Sequence, residues 1–228
     1  MTALPAATGF LAIWSDIAPA HETDYLHWLT REHTAERVGI PGFRGVRVFR
    51  AVMPDPRRYF ILYELAAPGV VDSPAYLARL NHPTPWSSRI MPRLGRFRRG
   101  GGAPGLACGT GSGGVVAVAV LARTELTGAA GRLPTLAGMD RICAVRTLIV
   151  DADRTGVATQ EKSLRAGDDG FAGLVMIEGF DGAAVQAALA ASGFEGALYT
   201  QVFALAKDAL AEERRTMGPD VPPVRDPA

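Results

Sequence analysis

The feature that most limits what this chain can fold into is an order of elements that occurs twice. In the first stretch, residues 9–17, 43–52, 58–65 and 93–98 read as strands, and residues 20–38, 73–80 and 85–91 as helices. Glu22 and Asp24 open the first helix, and Gly39 with Pro41 closes it. Pro54, Asp55 and Pro56 supply a turn between the middle strands, and Ser73-Pro74 is an N-cap and first-turn pair. The second stretch has strands at 115–121, 142–150, 171–178 and 197–205, with a glycine-interrupted helix at 126–137 and an Asp-capped one at 181–191. Each stretch reads β-α-β-β-α-β. Residue identity between them is slight, so the repeat lies in order and spacing.

A βαββαβ unit forms a four-stranded antiparallel sheet with its helices on one face. The other face stays exposed unless a second sheet covers it, and two such sheets face to face close a barrel that can enclose a ligand. The predicted fold class is therefore α+β: two ferredoxin-like repeats packed sheet to sheet as one pseudo-symmetric α+β barrel. The first repeat is placed at 1–99, the second at 115–210, and a proline-rich tail at 211–228. Residues 100–114, GGGAPGLACGTGSGG, read as a flexible linker or a mobile flap, because such glycine density disfavours regular structure. Their GTGSGG precedes a strand instead of following one, so it lacks the setting of a nucleotide-binding loop.

Several function classes are excluded by composition. A net charge of +1 creates no field that would gather nucleic acid or an anionic membrane. The local run Arg93, Arg96, Arg98 and Arg99 reads as a solvated edge strand. No apolar stretch approaches the ~20 residues that cross a bilayer, and MTALPAATGFLAIW lacks the basic segment of a secretion signal. Cys108 and Cys143 lie far apart without metal-type spacing, which fits a reducing compartment. The expected location is cytoplasmic.

Candidate chemistry gathers in the first half. On a helical wheel of about 100° per residue, Tyr25 and Leu29 centre the apolar stripe of the first helix, flanked by Leu26 and Trp28. Glu36 projects onto that centre, and Glu32 and His33 fall within roughly 60° of it. Carboxylates and an imidazole near a buried stripe are costly unless partnered. One reading gives them ion pairs with Arg37, Arg44 or Arg47; the other gives them a catalytic or binding role. On the first strand, Trp14 and Asp16 share the face expected to point into the barrel, although Asp16 could equally cap the coming helix. On the third strand, Tyr59, Ile61 and Tyr63 alternate with Phe60, Leu62 and Glu64, and the sequence leaves open which set faces inward. His82 and Trp86 lie in a proline-bounded turn that could rim a pocket, His82 alternatively bonding the end of a helix. All four histidines and all three tryptophans fall within the first 86 residues, so one functional pocket is expected. His27 and His33 are about 120° apart around their helix, too far round to share a metal.

The run HWLTREHTAERVGIPGFRGVRVFRA leading to RRYFILYEL resembles the dimeric α+β barrel superfamily, in its EthD-like and antibiotic-biosynthesis-monooxygenase-like forms. The resemblance rests on His33 in the first helix ahead of Pro41-Gly42-Phe43, which lead into the second strand. It implies a fold shared by cofactor-free oxygenases, cyclases, isomerases and haem enzymes, so it constrains the pocket more than the reaction. Haem-binding members use a histidine from the half that holds haem, and the later half here has none.

The expectation is a cofactor-independent enzyme acting on a small apolar or aromatic metabolite by proton transfer, of isomerase, cyclase or lyase type. His33 would move the proton, tuned by Glu32 or Glu36, with Asp16 an alternative base. Trp14, Trp28, Tyr63, His82 and Trp86 would shape the pocket. Neither a cofactor nor a metal is called for. The alternatives are a cofactor-free monooxygenase, since a substrate carbanion can itself reduce oxygen, and a non-catalytic binding or assembly protein. A small-molecule ligand is the expected partner, with nucleic acid and membrane excluded and a homodimer left open.

Overall fold

Eight antiparallel strands close one barrel in the order β1-β3-β2-β8-β5-β7-β6-β4 in a computed structural model that describes residues 8–52 and 58–211. The first half contributes β1 (Gly9–Asp16), β2 (Phe43–Ala51), β3 (Tyr59–Leu65) and β4 (Gly95–Gly109). The second contributes β5 (Val115–Leu121), β6 (Ile142–Val150), β7 (Gly173–Gly179) and β8 (Ala197–Ala206). Each half has the ferredoxin-like strand order, and the halves are stitched by β2 to β8 and β4 to β6. The predicted class and architecture are observed.

Helices α1 (Glu22–Trp28), α2 (Thr34–Gly39), α3 (Pro74–Leu80) and α4 (Pro85–Ile90) cover the outer face of the first sheet. The outer face of the second carries α5 (Arg123–Ala129), α6 (Leu133–Ala137) and α9 (Gly182–Ser192). The capping signals act as read: Ser73 Oγ accepts from the Tyr76 N–H, and Asp181 from that of Ala184 at 2.9 Å. Two further turns, α7 (Ala152–Thr155) and α8 (Gln160–Ser163), lie in the long connection from β6 to β7. The sequence reading assigned no element there. The turn read at Pro54-Asp55-Pro56 and nearly all of the proline-rich tail lie outside the described residues.

Strand alternation sorts side chains into three cores. Leu11, Ile13, Ile61 and Tyr63 face the first set of helices. Phe10, Trp14, Phe60, Leu62, Met176 and Tyr199 belong to a third cluster, which lies inside the barrel between the two sheets. This settles the third strand: Phe60, Leu62 and Glu64 point inward, Tyr59, Ile61 and Tyr63 toward the helices.

The glycine-rich segment departs from the reading as a linker. Residues 100–109 continue β4, pairing with β1 on one side and β6 on the other, so one strand crosses the seam between the halves. A Cβ on Gly102 would lie 2.1 Å from the Ile149 carbonyl oxygen, and one on Gly100 would lie 2.6 Å from the Phe171 ring. These glycines permit close approach of neighbours; they do not loosen the chain. Gly102→Ala is expected to cost about 3 kcal/mol, the upper part of the overpacking range. Gly114→Ala, with nothing within 4 Å of its new methyl, should be nearly neutral. Urea midpoints that are equal for the two variants would refute the close-approach explanation.

Candidate functional site

The first helix does not run as a regular α-helix. Between α1 and α2, residues Leu29–His33 form a π-turn. The Thr30 hydroxyl donates to the Leu26 carbonyl at 2.7 Å, the acceptor that an unbroken α ladder would offer to the Thr30 N–H. The wider turn changes the facing of everything after it relative to a uniform wheel. Glu32, His33 and Glu36 are buried, as their wheel positions near the apolar stripe suggest, and Arg37 is buried with them.

These groups have different surroundings. Glu36 forms ion pairs with Arg37 and Arg79, both at 3.0 Å. Arg37 also pairs with Glu161 of α8. Glu32 accepts from the Thr84 hydroxyl at 2.6 Å. The ion-pair reading therefore holds for Glu36, with Arg79 in the place given to Arg44 or Arg47. His33 lies against the Trp28 ring, centroids 4.2 Å apart, and its Nδ1 is buried with no hydrogen-bond partner. Burial, then the charges of Arg37 and Arg165, hold its pKa well below 6.5, so the ring is neutral at pH 7.

His33 lines a closed cavity between the first sheet and its helices. Tyr25, Trp28, Tyr63 and Tyr76 contribute aromatic walls, and Arg37, Arg99, Glu161, Lys162 and Arg165 a mostly cationic rim. The Tyr63 hydroxyl is also buried without a partner, and burial raises its pKa, so it stays protonated. The volume open to the centre of a water molecule is about 20 Å³, on the scale of one or two waters.

The sequence reading put the ligand space between the two sheets. Much of that interior is packed with aromatic and aliphatic side chains, and a second cavity of about 280 Å³ opens beside them, lined by Phe10, Arg47, Leu62, Glu64, Arg146 and Leu148. The second half still encloses the site, through the β6–β7 connection that lays α8 over the first half's cavity. Arg165 stacks on Phe97 at 3.9 Å, and Gln160 N–H donates to Asn81 at 3.0 Å, holding that roof in place.

Of the residues singled out from sequence, His33, Trp28 and Tyr63 meet at the cavity; the others do not line it. Trp14 faces the barrel interior, its indole N–H donating to the Tyr199 hydroxyl at 3.2 Å. Asp16 sits at the end of β1, accepting from Arg58 N at 2.7 Å and from Arg96 Nε at 2.6 Å, so it pins strand ends and caps no helix. His82 Nδ1 contacts the Ala78 carbonyl at 2.8 Å, as a helix-ending residue would. Trp86 donates to Asp24 at 2.8 Å on the outer helices. Sequence reasoning missed Tyr76, Arg99, Glu161, Lys162 and Arg165. Arg99 reads from the sequence as a solvated edge residue, but its strand pairs with β1 on one side, its N–H donates to the Asp169 carbonyl at 3.1 Å on the other, and Arg99 is buried. One signal was available for Lys162: it is one of two lysines among 24 basic residues.

Among the described residues, no group of three or more His, Cys, Asp or Glu side chains is placed to hold a metal ion. No helix there is long and apolar enough to cross a membrane.

No protein-family profile matches the chain, and neither does any curated protein. Solved structures do. An anthrone oxidase-like protein aligns over 89% of this chain and 95% of its own, at 12% identity and a TM-score of 0.56. A candidate monooxygenase from Fusobacterium nucleatum aligns over 88% and 95%, at 10% identity and a TM-score of 0.50. Likeness at this identity establishes the fold alone: an α+β barrel built from two ferredoxin-like halves, shared over 89% of this chain.

Proposed function

We propose that the chain is a cofactor-independent monooxygenase that oxidises an activated carbon of a small aromatic substrate, with proton removal by His33 as its first step. The observation that carries this reading is the neutral, buried imidazole with an unpartnered nitrogen in an aromatic cavity rimmed by cations. A base in that state needs no deprotonation, and the charge it generates on the substrate is favoured by the surrounding cations. Tyr63, kept protonated, is positioned to donate to the developing enolate oxygen.

The chemistry balances without a protein-bound electron carrier. His33 takes a proton from an acidic methylene, and the carbanion transfers an electron to molecular oxygen; recombination gives a peroxide anion. The peroxide recovers the proton from His33, then loses water to leave a carbonyl, so R₂CH₂ and O₂ become R₂C=O and H₂O. The names carried by the two structurally similar proteins agree with this class of reaction. A cavity of about 20 Å³ cannot admit a ring, so substrate entry requires the α8 roof to withdraw.

Anthrone supplies such a methylene. With oxygen present, the protein is expected to consume one O₂ per anthrone, and His33→Gln to lower that rate by about 10²–10⁴-fold at an unchanged melting temperature. Because the imidazole is neutral, activity should persist as pH falls through 6.5. Oxygen uptake unaffected by His33→Gln would overturn the role of His33. Deuterium exchange at the methylene without oxygen uptake would support proton transfer alone, the isomerase, cyclase or lyase reading. Binding without either would leave a ligand-binding protein.

A further inference from the structure

The cavity roof contains a pair of cations with no anion between them. Arg99 of β4 and Lys162 of α8 both donate to one neutral acceptor, the Thr155 carbonyl, at 3.1 and 2.6 Å. Neither forms an ion pair among the described residues. The nearest carboxylates are committed elsewhere: Glu161 to Arg37, and Asp168 to Arg165 through two hydrogen bonds of 3.0 Å. Two cations sharing one carbonyl repel each other, and an anion placed against both would relieve that repulsion. Burial first, and the Arg99 charge after it, lower the Lys162 pKa to about 8, while Asp168 opposes the shift.

Both residues have a second aspect. They line the closed His33 cavity and also an open groove of about 400 Å³ on the other side of the roof. Val150, Ala152, Ala158 and Phe171 give that groove apolar walls, and Asp168, held by Arg165, is the one carboxylate in its lining. Arg99 further donates to the Tyr76 hydroxyl at 3.3 Å, and Tyr76 itself lines the His33 cavity. The pair thus stands where the groove meets the cavity, with apolar walls outward and Asp168 turned to Arg165.

From this arrangement we infer that Arg99 and Lys162 form a carboxylate subsite, and that the groove receives small, otherwise apolar aromatic carboxylates. That the carboxylate belongs to the substrate rests on the oxygenase reading above; that the subsite binds it does not. The groove then holds the ligand before α8 withdraws, and the carboxylate anchors it while the ring passes toward Tyr76 and His33.

The test is calorimetric titration of the full chain with 2-naphthoate and with its neutral analogue 2-acetonaphthone, at pH 7 and low salt. Naphthoate is expected to bind at least tenfold more tightly than the ketone. Lys162→Gln and Arg99→Gln should each weaken naphthoate at least tenfold and abolish the preference, whereas Lys162→Arg, which keeps the charge, should retain it. Melting curves establish that each variant is folded; should Arg99→Gln fail to fold, the two Lys162 variants decide the matter. Equal affinity for the two ligands, no naphthoate binding at millimolar concentration, or full binding by Lys162→Gln would overturn the subsite. His33→Gln should leave naphthoate affinity unchanged. Naphthoate binding with no oxygen uptake from anthrone or from a carboxyl-substituted anthrone would retire the oxygenase reading and leave the subsite standing, and oxygen uptake without naphthoate binding would do the reverse.

Discussion

Glu178→Ala is expected to lower stability by about 3–5 kcal/mol, the range for removing one partner from a buried ion pair. Glu178 is fully buried inside the barrel, accepting from Arg47 at 2.6 and 3.4 Å and pairing with Arg146 at 3.4 Å. It also accepts from the Gly113 N–H at 3.3 Å. Removing it strands two guanidiniums whose Nε atoms already lack partners, in a place where water reaches Arg47 poorly. For a chain of this length the melting temperature should fall by about 10 °C. Replacing Arg47 and Glu178 together with leucine should recover most of the loss, because the cost lies in the unpaired charge more than in the missing bond. A Glu178→Ala midpoint within 1 kcal/mol of the parent would mean that water or a rearranged loop already neutralises the arginines.

The same cluster shows how far the duplication was legible. Element order revealed the repeat, but a residue-level trace was also present. Arg47 lies in Val46-Arg47-Val48 of β2, and Arg146 in Val145-Arg146-Thr147 of β6; Glu64 and Glu178 are each the penultimate residue of β3 and β7. Both β2 and β6 carry a register shift at matching places, between Phe43 and Gly45 and between Ile142 and Ala144. Only pairing partners turn such scattered likenesses into a pattern, because a Val-Arg dipeptide alone carries almost no information. Glycine-rich β4 was misread for a related reason. Composition reports backbone freedom, whereas the Gly102 backbone is fixed by the Ile149 carbonyl of another strand.

Part of the candidate site was legible and part was not, and the division follows sequence distance. His33, Trp28 and Tyr63 announce themselves locally, as a polar group on an apolar stripe and as aromatics on an alternating strand. The π-turn that brings Arg37 to the buried side has no such signature, since it depends on Thr30 taking the Leu26 carbonyl. The roof residues Glu161, Lys162 and Arg165 stand more than 120 residues from His33 in a stretch without periodicity, and only barrel closure carries them over the first half. The expected enclosure by the second half is present at His33 on the helix side of the sheet, while large inward side chains such as Trp14, Phe60 and Met176 pack against one another within the lumen.

Arg37→Met should be the most damaging change at the site itself, with a pH signature that separates it from Glu178→Ala. Arg37 is the common partner of Glu36 and Glu161, joining the first helix to the α8 roof. Arg79 still pairs with Glu36, and Arg165 lies 3.8 Å from Glu161, so the expected loss is about 3 kcal/mol, the low end for a broken buried pair. Burial raises the Glu36 pKa above its usual 4.5, an effect that Arg37 opposes; without Arg37 the rise is larger. A carboxyl with a raised folded pKa takes up its proton in the folded state first, so acidification from that pKa toward 4.5 favours folding. His33 acts oppositely in the parent: its depressed folded pKa means stability complete above about 6.5 and lost as pH falls below it. Removing the Arg37 charge eases that depression, so both groups shift the variant the same way. The deficit in melting temperature between Arg37→Met and the parent should therefore be smaller at pH 5.5 than at pH 8. The Glu178→Ala deficit should not shrink in this way, because the stranded groups are arginines that do not titrate in that range. An Arg37→Met deficit that is constant or grows on acidification would show that Glu36 and Glu161 do not carry the penalty. The roof would then be held by the Arg165–Phe97 and Gln160–Asn81 contacts instead.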